Sequence, residues 1–192
     1  MAPIPFAQLH QTTSMNRGSV TLVGAGPGDP ELLTLKAVKA ISRATVLLVD
    51  DLVSEDILEH ADPQACIIHV GKRGGCQSTP QSLIEKMMIH EARKGETVVR
   101  LKGGDPFIFG RGGEEVEHLR AAGLQVAVIN GITSGLAAAG SLNMPLTHRD
   151  LAHGVVFITG HNKPGCEENN LALNRQAACY AAACCSRAIL TR

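Results

Sequence analysis

Short apolar runs, most of them stopping at a glycine or a charged residue, constrain this chain more than any other feature. Val20-Thr21-Leu22-Val23 stops at Gly24, and Val46-Leu47-Leu48-Val49 stops at Asp50-Asp51. Ile67-Ile68-His69-Val70 leads into Gly71-Lys72-Arg73, and Thr97-Val98-Val99-Arg100-Leu101 leads into Lys102-Gly103. Gln125-Val126-Ala127-Val128-Ile129 is a fifth such run. Apolar runs of this length suit strands covered on both faces. Helical patterns lie between them. One runs from about Glu31 to Ser42, with Leu35, Val38 and Ile41 on one stripe, after an Asp29 cap and Pro30. A short one lies near Ser54–His60, a longer one runs from Pro80 to Lys94 before Gly95, and another stops at Gly123. Alternation of this kind predicts an α/β fold with a parallel sheet. Such a sheet gathers ligands at the carboxyl ends of its strands. Gly24–Asp29, Asp50, Lys72 and Gly103–Asp105 are therefore expected on one rim.

The fourth of these strand ends is the richest. Leu101–Gly113 holds five glycines, Asp105, the bases Lys102 and Arg111, and the rings of Phe107 and Phe109. Glycine lets backbone approach a ligand or another chain segment closely. Phenylalanines can wall a pocket, and Asp105 can fix a hydroxyl or amine. The stretch reads as a ligand loop.

Composition narrows the ligand only by exclusion. Hydrophobic residues make up 44% of the 192 residues and charged residues 19%, enough apolar material for a core. Eighteen basic residues balance eighteen acidic ones, so nothing global favours nucleic acid or an anionic membrane. The absence of tryptophan and the single tyrosine argue against a base-stacking platform. No apolar run approaches the ~20 residues of a membrane helix, and the N-terminus has no signal-peptide core. The six cysteines form no C-x-x-C pair and no zinc spacing, so no metal is expected. They read as reduced thiols of a cytoplasmic protein.

Gly24-Ala25-Gly26-Pro27-Gly28-Asp29 is close to a dinucleotide fingerprint, but its third glycine would fall on Asp29. It reads either as a turn or as a seat for an adenosine-containing ligand. Asp50 sits where a ribose-binding carboxylate would be, or serves as a local cap. Lys72 and Arg73 are either a solvated pair or a proton-transfer group and a carboxylate clamp. His148 reads as a loop hydrogen-bonder, and Met87 and Met88 as core. A nicotinamide dehydrogenase would use Gly24–Gly28 with Asp50, but the missing glycine and the Gly103–Gly113 run count against it.

Several of these segments together resemble one family. They are Val23–Lys36, Val70-Gly71-Lys72-Arg73, Val99–Glu115, Gly131-Ile132-Thr133-Ser134 and Pro145-Leu146-Thr147-His148-Arg149-Asp150. In register from about Val20 to His161, they resemble the uroporphyrinogen-III C-methyltransferases, S-adenosylmethionine-dependent methylases of tetrapyrroles. The resemblance implies two α/β domains with the cofactor in the cleft between them, usually in a homodimer. It implies methylation of uroporphyrinogen III at two ring carbons to precorrin-2, for sirohaem and cobalamin. It places Pro27, Gly103, Gly104, Asp105, Ile108, Thr133 and Ser134 on cofactor-contacting positions. It makes Asp50 the proton acceptor and Lys72 the proton donor. For so acidic a substrate, Arg73, Arg100, Lys102, Arg111 and Arg149 are candidates to receive carboxylates.

Two positions depart from the family pattern. Asp51 stands where the family usually has arginine, and Asn130 where it usually has proline. The resemblance ends near His161, and an Ala/Cys-rich stretch, Gln176–Cys185, reads as a weak helix without a strand partner. The expected organisation is a loose arm at 1–18, a first α/β domain at 19–130, an incomplete second domain at 131–161 and a divergent tail at 162–192. On that organisation the alternative to an active methyltransferase is an inactive product that associates with a full-length subunit.

Overall fold

The protein is described by a computed structural model covering residues 18–71, 79–159 and 180–184, with backbone only for 158–159 and 180–184. The expected loose arm, Lys72, Arg73 and most of the tail lie outside the described residues.

Five strands form one parallel sheet: β1 Ser19–Gly24, β2 Val46–Val49, β3 Cys66–His69, β4 Thr97–Lys102 and β5 Val126–Ile129. Their order is β3-β2-β4-β1-β5, so β1 lies between β4 and β5. All four residues of β2 are buried, as a continuous apolar run should be. Alternate residues feed two cores on opposite faces of the sheet. Val20, Leu22, Leu48 and Val98 pack with Ile84 and Met88 of helix α2, Gln81–Arg93, and with Val116 and Leu119 of helix α3, Gly112–Ala121. Val23, Leu47, Val49, Val99 and Leu101 pack with Ala37 and Ile41 of helix α1, Leu35–Ile41. Burying one such Leu or Ile side chain stabilises the fold by about 1.5–3 kcal/mol.

The first helical region differs from expectation. Asp29 accepts from the Glu31 amide at 2.9 Å, but it caps only a 3-10 turn, Pro30–Leu32. Leu33 and Thr34 are then extended, and the Thr34 hydroxyl accepts from the Ala37 amide at 3.1 Å to start α1. Two competing N-caps five residues apart split the helix. Of the expected stripe Leu35 is 80% exposed, whereas Ile41 is buried as expected and Ala37 is buried beside it. The region after Ser54 is likewise a 3-10 helix, Glu55–His60.

Beyond β5, helix α4, Ser134–Ser141, starts from Thr133 as N-cap. Strand β6, Val155–Thr159, pairs in parallel with β7, Tyr180–Cys184. Within the tail segment expected as a partnerless helix, Tyr180–Cys184 is therefore a strand with a partner. Tyr and Cys with small alanines fit a ladder, and pairing overrides alanine's helix preference.

Candidate active site

The sheet order sets the site. Because β1 lies between β4 and β5, the loops leaving β4 and β5 flank its end. Gly26 and Gly104 exchange two backbone hydrogen bonds, Gly26 N to Gly104 O at 3.1 Å and Gly104 N to Gly26 O at 2.7 Å. Gly24, Gly104 and Gly131 meet backbone to backbone. A Cβ on Gly131 would lie 2.2 Å from the Gly104 oxygen, and one on Gly24 would lie 2.5 Å from the Gly131 nitrogen. No side chain fits there. Gly104 is different: its φ of +65 favours glycine, but a Cβ would meet nothing closer than 3.8 Å.

Asp105 locks this junction. It is 5% exposed. Its Oδ1 accepts from the Phe107 amide at 2.8 Å, and its Oδ2 accepts from Asn130 Nδ2 at 3.0 Å and from the Gly131 amide at 3.1 Å. This carboxylate, expected to fix a ligand hydroxyl or amine, binds protein donors through both oxygens, and the side chain fastens the β4 loop to the β5 loop across the end of β1.

The other residues expected at the cofactor gather on the same rim. Pro27 is exposed in the turn after β1, beside Gly28 at φ +121. Gly103 packs against Leu52, where a Cβ would come within 2.6 Å of the leucine Cβ. Ile108 is half-buried, Thr133 is buried, and Ser134 is exposed at the first turn of α4. Phe107 and Phe109 are about half exposed, at 54% and 50%. Phe109 and Arg111 both take left-handed backbone at φ 56, which costs roughly 1–2 kcal/mol each. Cost of that kind concentrates at functional loops.

Asp50 ends β2 on this rim, its amide donating to the Leu101 carbonyl at 3.1 Å. Its side chain is 31% exposed, and its Oδ2 stands 3.6 Å from Arg100 Nη2. It opens on a depression that also takes in Asp51, Glu55, His69 and Gly71. A Cβ on Gly71 would fall 2.4 Å from Asp51 Cβ, so Gly71 admits Asp51 by lacking one. Three carboxylates make this depression acidic.

Arg100 and Lys102 differ most from their expected role as receivers of substrate carboxylates. They are 2% and 3% exposed, on the sheet face that carries α2 and α3. Glu115, fully buried in α3, accepts through one oxygen from Gln81 Nε2 at 2.7 Å, Arg100 Nε at 3.4 Å and Lys102 Nζ at 3.2 Å. Its other oxygen has no hydrogen-bond partner among the described residues. Arg100 also donates to the carbonyls of Leu48 and Leu101, at 3.3 and 3.4 Å. The two cations belong to an internal cluster behind Asp50, out of reach of a ligand in solvent. Glu115 and Gln81 carried no signal in the sequence, and Asn130 stood out only as a departure from the family pattern, not as a partner of Asp105. Only the position of Arg100 and Lys102 on the Val98 side of the strand pointed inward.

Burial pushes the Lys102 ammonium below its ordinary 10.5, Arg100 adds to the fall, and Glu115 and Asp50 oppose it. Below that depressed pKa, the whole cost of holding a buried ammonium is present. Between it and 10.5 the unfolded chain keeps the proton and the folded chain releases it, so stability gains with rising pH. Urea unfolding across the alkaline range is therefore expected to show an upward contribution in the wild type that Lys102→Met lacks. Parallel pH profiles would contradict the assignment.

Arg111 and Arg149 remain exposed. Arg111 pairs with Glu114, Nε to Oε2 at 3.0 Å. Arg149 lies in a loop closed by mutual backbone bonds between His148 and Ala152 at 2.9 Å, and His148 Nδ1 accepts from the Asp150 amide at 3.2 Å. His148 thus bonds within its loop, as its sequence setting suggested. Among the described residues no His, Cys, Asp and Glu cluster could hold a metal ion, and no helix is long and apolar enough to cross a membrane.

The family profile of the tetrapyrrole (corrin/porphyrin) methylases matches residues 19–183. A uroporphyrinogen-III C-methyltransferase of Pseudomonas aeruginosa is 58% identical over 146 residues, which is 76% of this chain and 59% of the relative. One from Bacillus subtilis is 53% identical over 76% of this chain and 57% of its own length. The chain thus spans somewhat more than half the length of these relatives. The crystal structure of the Thermus thermophilus uroporphyrin-III C-methyltransferase complexed with S-adenosylhomocysteine superposes with a TM-score of 0.69 at 46% identity, covering 83% of this chain and 67% of that one. The match takes in every strand of the sheet and the glycine junction at its edge, and the chain belongs to the tetrapyrrole (corrin/porphyrin) methylases.

Proposed function

We propose that this chain carries out S-adenosylmethionine-dependent C-methylation of uroporphyrinogen III at two ring carbons, giving precorrin-2 for sirohaem and cobalamin synthesis. The observation that carries this reading is the glycine junction, with Asp50 on the same strand-end rim. Relatives at 58% and 53% identity bear the name of that activity, and one solved relative is complexed with S-adenosylhomocysteine.

The residues fit an adenosyl ligand. Gly103 and Gly104 present backbone without side chains, Thr133 brings a hydroxyl at the start of α4, and Ile108 brings an apolar surface. Pro27 stands in the facing turn. Open space beside Gly28, where a Cβ would meet nothing within 4 Å, leaves room at that turn. S-Adenosylmethionine supplies an electrophilic methyl on a sulfonium. Methyl transfer to an electron-rich carbon gains chiefly from alignment, which a rigid wall provides. Asp50, reachable at the end of β2 with Arg100 Nη2 3.6 Å from its Oδ2, accepts the proton lost from the ring. Lys72 is the proton donor in this reading. Arg73, Arg111 and Arg149 receive substrate carboxylates, while Lys102 supports the strand end from inside. The working protein is a cytoplasmic homodimer.

Transfer of a labelled methyl group from S-adenosylmethionine to uroporphyrinogen III tests the proposal. The wild-type chain is expected to label the macrocycle, and Asp50→Asn to slow labelling by about 10²–10⁴-fold while leaving S-adenosylhomocysteine affinity intact. Equal rates for the two proteins would remove Asp50 from the chemistry.

A further inference from the structure

We propose that Asn130 is a positioning residue: its side-chain amide closes, from the β5 side, a clasp through Asp105 that holds the adenosyl-binding wall in shape. The cofactor part of this inference rests on the function proposed above, whereas the clasp itself does not.

The geometry begins with the sheet order. The β4 and β5 loops are not neighbours, because β1 stands between their strands. Nothing in the ladder alone holds one loop to the other. Asp105 spans the gap with a buried carboxylate, taking one donor from its own loop, Phe107 N, and two from the far loop, Asn130 Nδ2 and Gly131 N. A carboxylate bound by three donors is well satisfied, and each charge-assisted bond is stronger than a neutral one. Asn130 itself is exposed, so its side chain supports no core. Its contribution is directional. It pins the residue before Gly131, whose backbone touches Gly104, and two residues further on Thr133 starts α4. Losing this donor therefore loosens the Gly104–Thr133 wall without opening the hydrophobic core.

Asn130→Ala and Asn130→Asp separate this role from a general effect on stability. In the free protein, hydrogen exchange at the Gly131 and Phe107 amides is expected to quicken by about 5–10-fold in Asn130→Ala, the scale of one lost bond. Core amides of β1 and β4 should keep their rates. S-Adenosylhomocysteine affinity should fall by about 3–10-fold. Asn130→Asp sets two carboxylates against each other. Its affinity should be lower still at neutral pH and recover as the pH falls through the carboxylate range, when the introduced group gains a proton and donates again. The wild type should show no such recovery. Unchanged exchange at Gly131 and Phe107 in both variants would overturn the clasp. Quickened exchange with unchanged affinity would overturn its link to the ligand wall. Quickened exchange in the variants, beside a wild type that binds no S-adenosylhomocysteine, would leave the clasp standing and count against the proposed function instead.

Discussion

Gly131→Ala is expected to lower S-adenosylhomocysteine affinity at least ~100-fold, and to destabilise the fold by about 1–3 kcal/mol, the usual cost of overpacking. The new methyl would sit 2.2 Å from the Gly104 oxygen and 2.8 Å from the Gly24 carbonyl carbon. Neither neighbour is the far end of a flexible side chain. Both are backbone at strand ends, so the loops must separate. That separation breaks the short distance from Gly131 N to Asp105 on which the junction depends. Gly104→Ala makes the contrast. It has room for a methyl but holds φ at +65, so its cost is backbone strain of roughly 1–2 kcal/mol. The two glycines are required for different reasons. Gly131 should be the more damaging site for binding, measured by calorimetric titration beside urea unfolding. Equal binding by Gly131→Ala and wild type would show that the junction does not shape the ligand wall.

The second large effect lies inside the protein. Glu115→Ala should destabilise the fold by about 3–5 kcal/mol, because it leaves Arg100 and Lys102 buried with their shared carboxylate gone. The remaining partners do not compensate. Arg100 keeps two carbonyls and Asp50 at 3.6 Å, and Lys102 loses its only hydrogen-bonded carboxylate among the described residues. Replacing the cluster as a whole has a different sign. Arg100→Met, Glu115→Leu and Lys102→Met together should recover most of that loss, since desolvating three charges costs about as much as their attraction returns. Equilibrium urea unfolding of the single and triple variants measures both. A triple variant no more stable than Glu115→Ala would mean the cluster contributes net stability of its own. In the triple variant Asp50 also loses its buried cation, so methyl transfer should fall even where stability returns.

These two effects mark what the sequence disclosed and what it hid. The parallel sheet was legible because β2 is apolar at every position and most strands stop at a glycine or a charge. The rim followed, since a parallel sheet brings all its carboxyl ends to one edge. The pairing order did not follow, and the β4–β1–β5 arrangement makes the Asp105 clasp possible. Asn130 lies 25 residues from Asp105 and Glu115 lies 15 from Arg100. No local period connects such pairs. Arg100 and Lys102 were misplaced for a related reason. On a strand, residues share a face with those two positions away, and Val98, Arg100 and Lys102 all point into the core under α2 and α3. A lone base in an apolar strand suggests an outward ligand only when no buried carboxylate awaits it. The split of the first helix had a visible signal in Thr34, a second N-cap hidden by the stronger Asp29-Pro30 pair. The Tyr180–Cys184 strand had none beyond its pairing with β6.

In the proposed function the junction of Gly24, Gly104 and Gly131, locked by Asp105, forms the wall of an adenosyl-ligand site. Calorimetric titration of the free chain with S-adenosylhomocysteine tests it most directly, with Asp105→Ala titrated in parallel. One site per chain is predicted for the wild type, with affinity at least ~100-fold weaker in Asp105→Ala, while adenosine dinucleotides give no heat. Equal affinity in the two proteins, or a preference for a dinucleotide, would contradict it.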